Sequence, residues 1–448
     1  MTRRIICSVL RLALRLFFRR VEVAGLERVP LESPVIFVIN HPNGLVDPAF
    51  ILAKAPRRVS FLAKAPLFRM PLISYFVRAL DSLPVYRRQD EGEDVSRNRE
   101  TFEQARRLLE RGGTLAICPE GVSHDEPRLR PLKSGTARIA LGAASQGEGV
   151  DLKIVPAGLY YTSKTTFRSS ALLYFGEPLK VLPVSLDENN EPPREAVQEL
   201  SERIERALRK VMLDAGHAEA LATISRAERI FSSETEAAGG KPSLERELML
   251  RQRFIEGYAF HLANSPERLA HLDARISRYE EELAQAGLDP HELSAPSSRG
   301  SVAFQLITRA VLVLLIAPFA LLGAVIHYPA YRLAGFSAVR FSQNGEDIVS
   351  TIKILASMLL FPLTWGAAAL LLFKLLGWAG VALGLLVVPL TGYAAVRFYE
   401  EFDRFVGTAR AIAFFVTRRW FFKRLIVERR AIHEEILALG EEAANAVS

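Results

Sequence analysis

The sequence predicts an α/β domain built on a mixed, largely parallel sheet layered by helices, followed by a helical segment and C-terminal transmembrane helices. Three observations carry this. Short apolar, β-branched runs alternate with helical stretches over residues 26–185. A helical period with high charge density occupies about 192–293, and long uncharged apolar stretches come late in the chain. At 448 residues there is room for two or three domains and a sizeable core.

In chain order, residues 1–25 read as a basic amphipathic helix. Ile5, Ile6, Val9, Leu10, Ala13, Phe17 and Phe18 alternate at helical spacing with Arg4, Arg11, Arg15 and Arg19, which suits an anionic lipid surface and is too interrupted for a secretory signal. Residues 26–185 supply the sheet. Its expected strands are Val35 to Ile39, Val59 to Leu62, Thr114 to Cys118, Lys153 to Leu159 and Ala171 to Phe175, with a helix over Val95 to Arg111. Residues 186–300 form the helical segment, broken by a Ser233 to Pro242 loop and closed by the linker Ser294 to Ser301.

Residues 301–397 are expected to cross a bilayer. Ala310 to Ile326, Ile354 to Phe373 and Leu375 to Val396 carry no charge, and each is near the ~20 residues a crossing needs. Residues 398–448 form a basic helical tail whose arginines and lysines place it on the cytoplasmic side, with a second interfacial helix over Phe402 to Ile426. An even number of crossings then puts both ends on one side, with one of the three apolar stretches re-entrant or interfacial. The formal charge of +7 fits attraction to anionic lipid and phosphorylated substrates; the basic residues flank apolar segments and carry no nucleic-acid motif. Two cysteines exclude a disulfide framework, and His217, His261, His271, His291, His327 and His433 lack metal-ligand spacing.

The chemistry concentrates in Asn40-His41-Pro42-Asn43-Gly44-Leu45-Val46-Asp47-Pro48. A buried strand delivers the histidine, and Asp47-Pro48 reads as an N-cap and N1 pair. An imidazole whose second nitrogen donates to a carboxylate is held in one tautomer and can take a proton from an alcohol. Taken alone, the pair reads more readily as an ordinary helix cap beside a solvated histidine. Further along, Arg87 and Arg88 follow an extended Leu-Pro-Val-Tyr segment and are phosphate ligands or solvated surface arginines. Glu120 and Gly121 close a strand, the glycine permitting a positive φ. Lys133 and Gly135 open an apolar helix whose N-terminus suits phosphate, and Lys64 occupies a similar strand end or is an ordinary surface lysine. An acyl-enzyme on Cys118 is rejected, since that residue sits where small apolar side chains pack with no base before it; His124 reads as a polar loop residue.

Five blocks in this order, His41 to Asp47, Ser82 to Arg88, Cys118 to His124, Pro131 to Gly135 and Ile154 to Gly158, resemble the glycerolipid acyltransferase family. Five residues separate His41 from Asp47 where most members have four, a spacing associated with the branch acting on glycerol-3-phosphate and dihydroxyacetone phosphate. Arg253 to Tyr258, and Tyr279 to Leu288 followed by Asp289, look like the same branch. Val122 stands where threonine is usual. The resemblance implies an acyltransferase fold and transfer from acyl-CoA or acyl carrier protein to a hydroxyl of glycerol-3-phosphate or 1-acylglycerol-3-phosphate. It implies His41 and Asp47 as catalytic pair and Arg87, Glu120, Gly121, Ser123, Lys133, Lys64 and Pro156 at the substrate. No cofactor and no metal are implied, the bilayer is a partner, and the catalytic domain faces the cytoplasm. A thioesterase-like hydrolase and an inactive, membrane-anchored lipid-binding protein are the competing readings.

Overall fold

A computed structural model describes residues 2–70, 73–90, 92–124, 126, 128–146, 150–215, 223, 226, 243–286, 299–341 and 346–447. The Ser233 to Pro242 loop, most of the Ser294 to Ser301 linker, His217, Leu288, Asp289 and His291 lie outside these residues, apart from the linker's last positions. The chain divides into two units, Met1–Asp214 with Ala338–Ile354, and Ala215–Ser337 with Leu355–Ser448.

The first unit holds an eight-stranded sheet of β1 (Arg20–Ala24), β2 (Val35–Ile39), β3 (Ser60–Lys64), β4 (Leu83–Val85), β5 (Thr114–Ile117), β6 (Lys153–Tyr161), β7 (Ser170–Phe175) and β8 (Leu179–Lys180). Their order is β1-β7-β6-β2-β5-β3-β4, with β8 paired to β6. Only the β6–β7 and β6–β8 pairings are antiparallel. β2 is buried at every position because both sheet faces are covered, which is why it reads as an unbroken apolar run. Val35, Phe37 and Ile39 share a core with Leu14 and Phe17 of α1 (Thr2–Phe17) and Phe50 and Ile51 of α2 (Val46–Lys54). On the opposite face, Ile36 and Val38 pack with Leu109 of α4 (Asn98–Glu110), Ile139 of α5 (Gly135–Gln146) and Leu200 of α6 (Arg194–Arg209), while α3 (Ile73–Ala79) precedes β4.

Two expectations for the N-terminal region change. The helix stops at Phe17 rather than running to residue 25, since Val21 and Val23 alternate with Arg20 and Glu22 at strand period and pair with β7 as β1. Nor is α1 laid on a lipid surface alone: Ile6, Leu14 and Phe17 are buried in the unit, while Ile5, Val9, Leu12 and Leu16 form a separate exposed apolar row beside the arginines.

The second unit contains α7 (Leu244–Asn264), α8 (Pro266–Gln285) and most of three long apolar helices, α9 (Arg299–Phe341), α10 (Glu346–Leu376) and α11 (Trp378–Thr417), then α12 (Arg419–Val447). Leu306–Phe341, Ile348–Leu376 and Trp378–Arg410 are long and apolar enough to cross a membrane. Gly377, at φ 61°, makes the tight turn between α10 and α11, and small residues such as Gly384 against Ala369 let those helices approach closely. The tail is not an interfacial helix over Phe402 to Ile426. Instead α11 continues to Thr417, and Phe422 and Leu425 of α12 are buried against Leu272, Ile276 and Tyr279 of α8. The helical segment expected at 186–300 and the tail expected at 398–448 thus share one hydrophobic core, because each supplies one apolar stripe that needs the other.

Candidate active site

β2, β3, β4, β5 and β6 all run in the same direction, and β2 to β5 each carry a sequence-predicted site residue at or just beyond the carboxyl end, where open α/β sheets gather ligands. Beyond β2, His41 Nδ1 lies 2.9 Å from Asp47 Oδ2. The same Oδ2 accepts the Asn43 backbone N–H, so it is an acceptor and Nδ1–H the donor, which leaves the Nε2 lone pair without a partner among the described residues. His41 keeps about a fifth of its side chain accessible, at 19%. This is the geometry of a general base.

Asp47 is not the N-cap. Gly44 adopts φ 43°, Leu45 caps α2, and the helix begins at Val46, so Asp47 sits inside the first turn. Its Oδ2 reaches back to the Asn43 N–H at 2.7 Å and its Oδ1 accepts the Tyr161 hydroxyl at 2.6 Å. The carboxylate therefore fixes the turn and the imidazole together.

The second turn, after β5, is knitted to the first. Glu120 is 2% exposed; Oε1 accepts the His41 N–H at 3.2 Å, and Oε2 accepts the Arg130 N–H at 2.9 Å and His124 Nε2–H at 2.5 Å. His124, expected as a polar loop residue, is buried against this carboxylate. Gly121 has φ 76°, a value few side chains tolerate, and its carbonyl accepts Arg87 at 2.8 Å. Arg87 also grips Asp90 through two nitrogens, at 2.8 and 2.6 Å, holding that carboxyl below its usual range. Three of its five N–H donors are thereby engaged.

The remaining predicted residues spread around this network. Lys133 is exposed, its stem beside Gly121 and its N–H bonded to the Pro119 carbonyl at 2.8 Å. Lys64 is exposed at the end of β3 and helps lower Asp90, whereas Arg88 is exposed and Ser123 half-buried. Pro156 lies buried within β6, in register with Val38, and offers no polar side chain to a ligand. Burial and the carboxylates of Asp47 and Glu120 push the Cys118 thiol well above its ordinary range, so it stays protonated and un-nucleophilic at neutral pH.

Two residues escaped the sequence reading. Asn40 is buried and clamps β6, its Nδ2 donating to the Leu159 carbonyl at 3.0 Å and its Oδ1 accepting the Leu159 N–H at 2.7 Å. Tyr161 ends β6, and burial beside Asp47 pushes its phenol well above its ordinary range, so it remains a donor. The one local signal, a tyrosine closing an apolar strand, is shared by any strand-end tyrosine. Tyr161→Phe removes one charge-assisted bond worth about 1.5–3 kcal/mol, and we expect turnover to fall about tenfold or more with acceptor KM unchanged, measured by steady-state kinetics.

Residues 20–160 match the acyltransferase family, and residues 224–445 match the glycerol-3-phosphate acyltransferase 2 C-terminal domain. An uncharacterized acyltransferase of Schizosaccharomyces pombe is 27% identical over 88% of this chain and 73% of its own length. Glycerol-3-phosphate O-acyltransferases 2 and 1 of Saccharomyces cerevisiae are 28% and 25% identical over 62% and 78% of this chain. The chain spans 38% and 58% of those two proteins. The crystal structure of a 1-acyl-sn-glycerophosphate acyltransferase from Thermotoga maritima aligns with 47% of this chain and 79% of its own, at 20% identity and a TM-score of 0.34.

Proposed function

We propose, on the premise that this chain belongs to the glycerolipid acyltransferase family, that it moves an acyl group from acyl-CoA or acyl carrier protein to a hydroxyl of glycerol-3-phosphate or 1-acylglycerol-3-phosphate. The observation that carries the mechanism is the buried Asp47 fixing His41 through Nδ1 while Nε2 stays open. Nε2 takes the hydroxyl proton as the oxygen attacks the thioester carbonyl. Collapse of the tetrahedral intermediate breaks the C–S bond, and the imidazolium returns that proton to the departing thiolate. The free donors of Arg87, with Lys133 and Lys64, suit the phosphate. Glycerol-3-phosphate is the favoured acceptor, on the five-residue His41–Asp47 spacing and the yeast relatives.

The three apolar helices support residence in a membrane, and the exposed row Ile5, Val9, Leu12 and Leu16 beside Arg4, Arg11 and Arg15 suits its surface. The basic tail and the supply of acyl thioesters favour a cytoplasmic catalytic unit. The test is purified protein in detergent given labelled acyl-CoA with either acceptor, products being separated by chromatography. Labelled 1-acylglycerol-3-phosphate from glycerol-3-phosphate is the expected result. Free fatty acid formed without acceptor would turn the assignment to a hydrolase, and no product with either acceptor would turn it to a binding protein.

A further inference from the structure

The first turns of α10, from Glu346 through Ile354, belong to the catalytic unit. Ser350 and Thr351 are buried there, and Ile354 packs against the core that holds α1 and α2. The Thr351 Oγ1 accepts the Leu45 N–H at 3.0 Å. Leu45 lies between His41 and Asp47 and caps α2, so this N–H takes its acceptor from a residue 306 positions away. Ser350 Oγ donates to the Lys164 carbonyl, which also accepts Asn43 Nδ2 at 3.4 Å, and Lys353 Nζ donates to the Thr165 carbonyl at 2.7 Å. The loop after β6 is thereby fastened to both α10 and the histidine turn.

We propose that Thr351 is a positioning residue for the base: its hydroxyl fixes Leu45, and through the Gly44–Val46 backbone holds Asp47 and His41 in their bonded arrangement. The proposal rests on the acyl-transfer reading above. The turn's other partners come from nearby residues, from β6 and from the loops after β5 and β6, whereas this one comes from a helix that runs on into an apolar stretch. Thr351 bonds the Leu45 N–H and not the imidazole, so its effect falls on the alignment of the proton acceptor and on turnover.

The experiment compares Thr351→Val, which keeps shape and loses the acceptor, with Thr351→Ser, which keeps it, using full-length protein in detergent with labelled acyl-CoA. Thr351→Val is expected to lower kcat about three- to tenfold, as loss of one hydrogen bond does, with acceptor KM and Tm near the parent. Thr351→Ser is expected to restore most of that loss. A parent-like kcat in Thr351→Val, or serine and valine variants equally impaired, overturns the proposal. His41→Ala run alongside separates the two readings: if that variant is inactive while Thr351→Val matches the parent, only the positioning role fails, and if His41→Ala is active the transfer mechanism itself fails.

Discussion

Alanine at His41 is expected to lower kcat by about 10²–10⁴, the range for loss of a general base, while the protein still partitions with membranes and keeps its Tm. The first half follows from the position of Nε2, the one nitrogen of the imidazole left unbonded by the described residues. The second follows from the bonding around it. Asp47 retains two donors besides the imidazole, the Asn43 N–H and the Tyr161 hydroxyl, so its buried charge is still compensated when the ring is removed. The His41 backbone N–H to Glu120 survives the substitution as well. Activity by radiolabel assay and unfolding by differential scanning fluorimetry separate the two effects. A parent-like rate would discard His41 as base; a collapse in Tm would show that the ring holds the turn and would leave the kinetic loss uninterpretable as chemistry. Asp47→Asn should behave differently, since its amide oxygen can still accept Nδ1–H and the Asn43 N–H while its NH2 turns to the Tyr161 hydroxyl, so the bonds persist and what is lost is the negative charge that favours the imidazolium.

The sheet and its histidine turn were legible because they rest on local rules. Val35 to Ile39 is continuous and β-branched, and only a strand covered on both faces tolerates that. Gly44 and Pro48 mark the turn, and Gly121 marks the next one by a backbone angle that other residues resist. What the sequence hid is whatever depends on distant pairing. Tyr161 and Thr351 meet the histidine turn from 114 and 306 residues away, and nothing in their neighbourhoods distinguishes them from any strand-end tyrosine or helix threonine. The Asp47 cap failed for the opposite reason: Asp-Pro carries a strong local N-terminus signal, but the left-handed Gly44 lets the cap fall at Leu45 and the helix begin two residues earlier. The tail misled through composition. Trp420, Phe421 and Phe422 among arginines look interfacial until Phe422 is seen to share a core with α8, while Trp420 alone stays 76% exposed.

Glu120→Ala is expected to cost the catalytic unit about 3–5 kcal/mol, because it strands three donors around a carboxylate that is only 2% exposed. For a domain of this size that corresponds to a fall in Tm of roughly 10 °C, a large share of the ~5–15 kcal/mol that holds a typical domain folded. The family resemblance put this carboxylate at the substrate. Both of its oxygens are in fact occupied by protein donors, one of them the backbone of the base itself, so its first effect is to lock the two turns together. Glu120→Gln tests this more finely. The amide oxygen keeps the bond to the His41 N–H, but its NH2 then faces the Arg130 N–H, a repulsive pair that a carboxylate avoids. An intermediate Tm with reduced kcat is the expected outcome for glutamine, and acceptor KM should move little in the fraction that folds. Should Tm hold in both variants while KM for glycerol-3-phosphate climbs, the carboxylate belongs to the substrate and the two turns are held by something else.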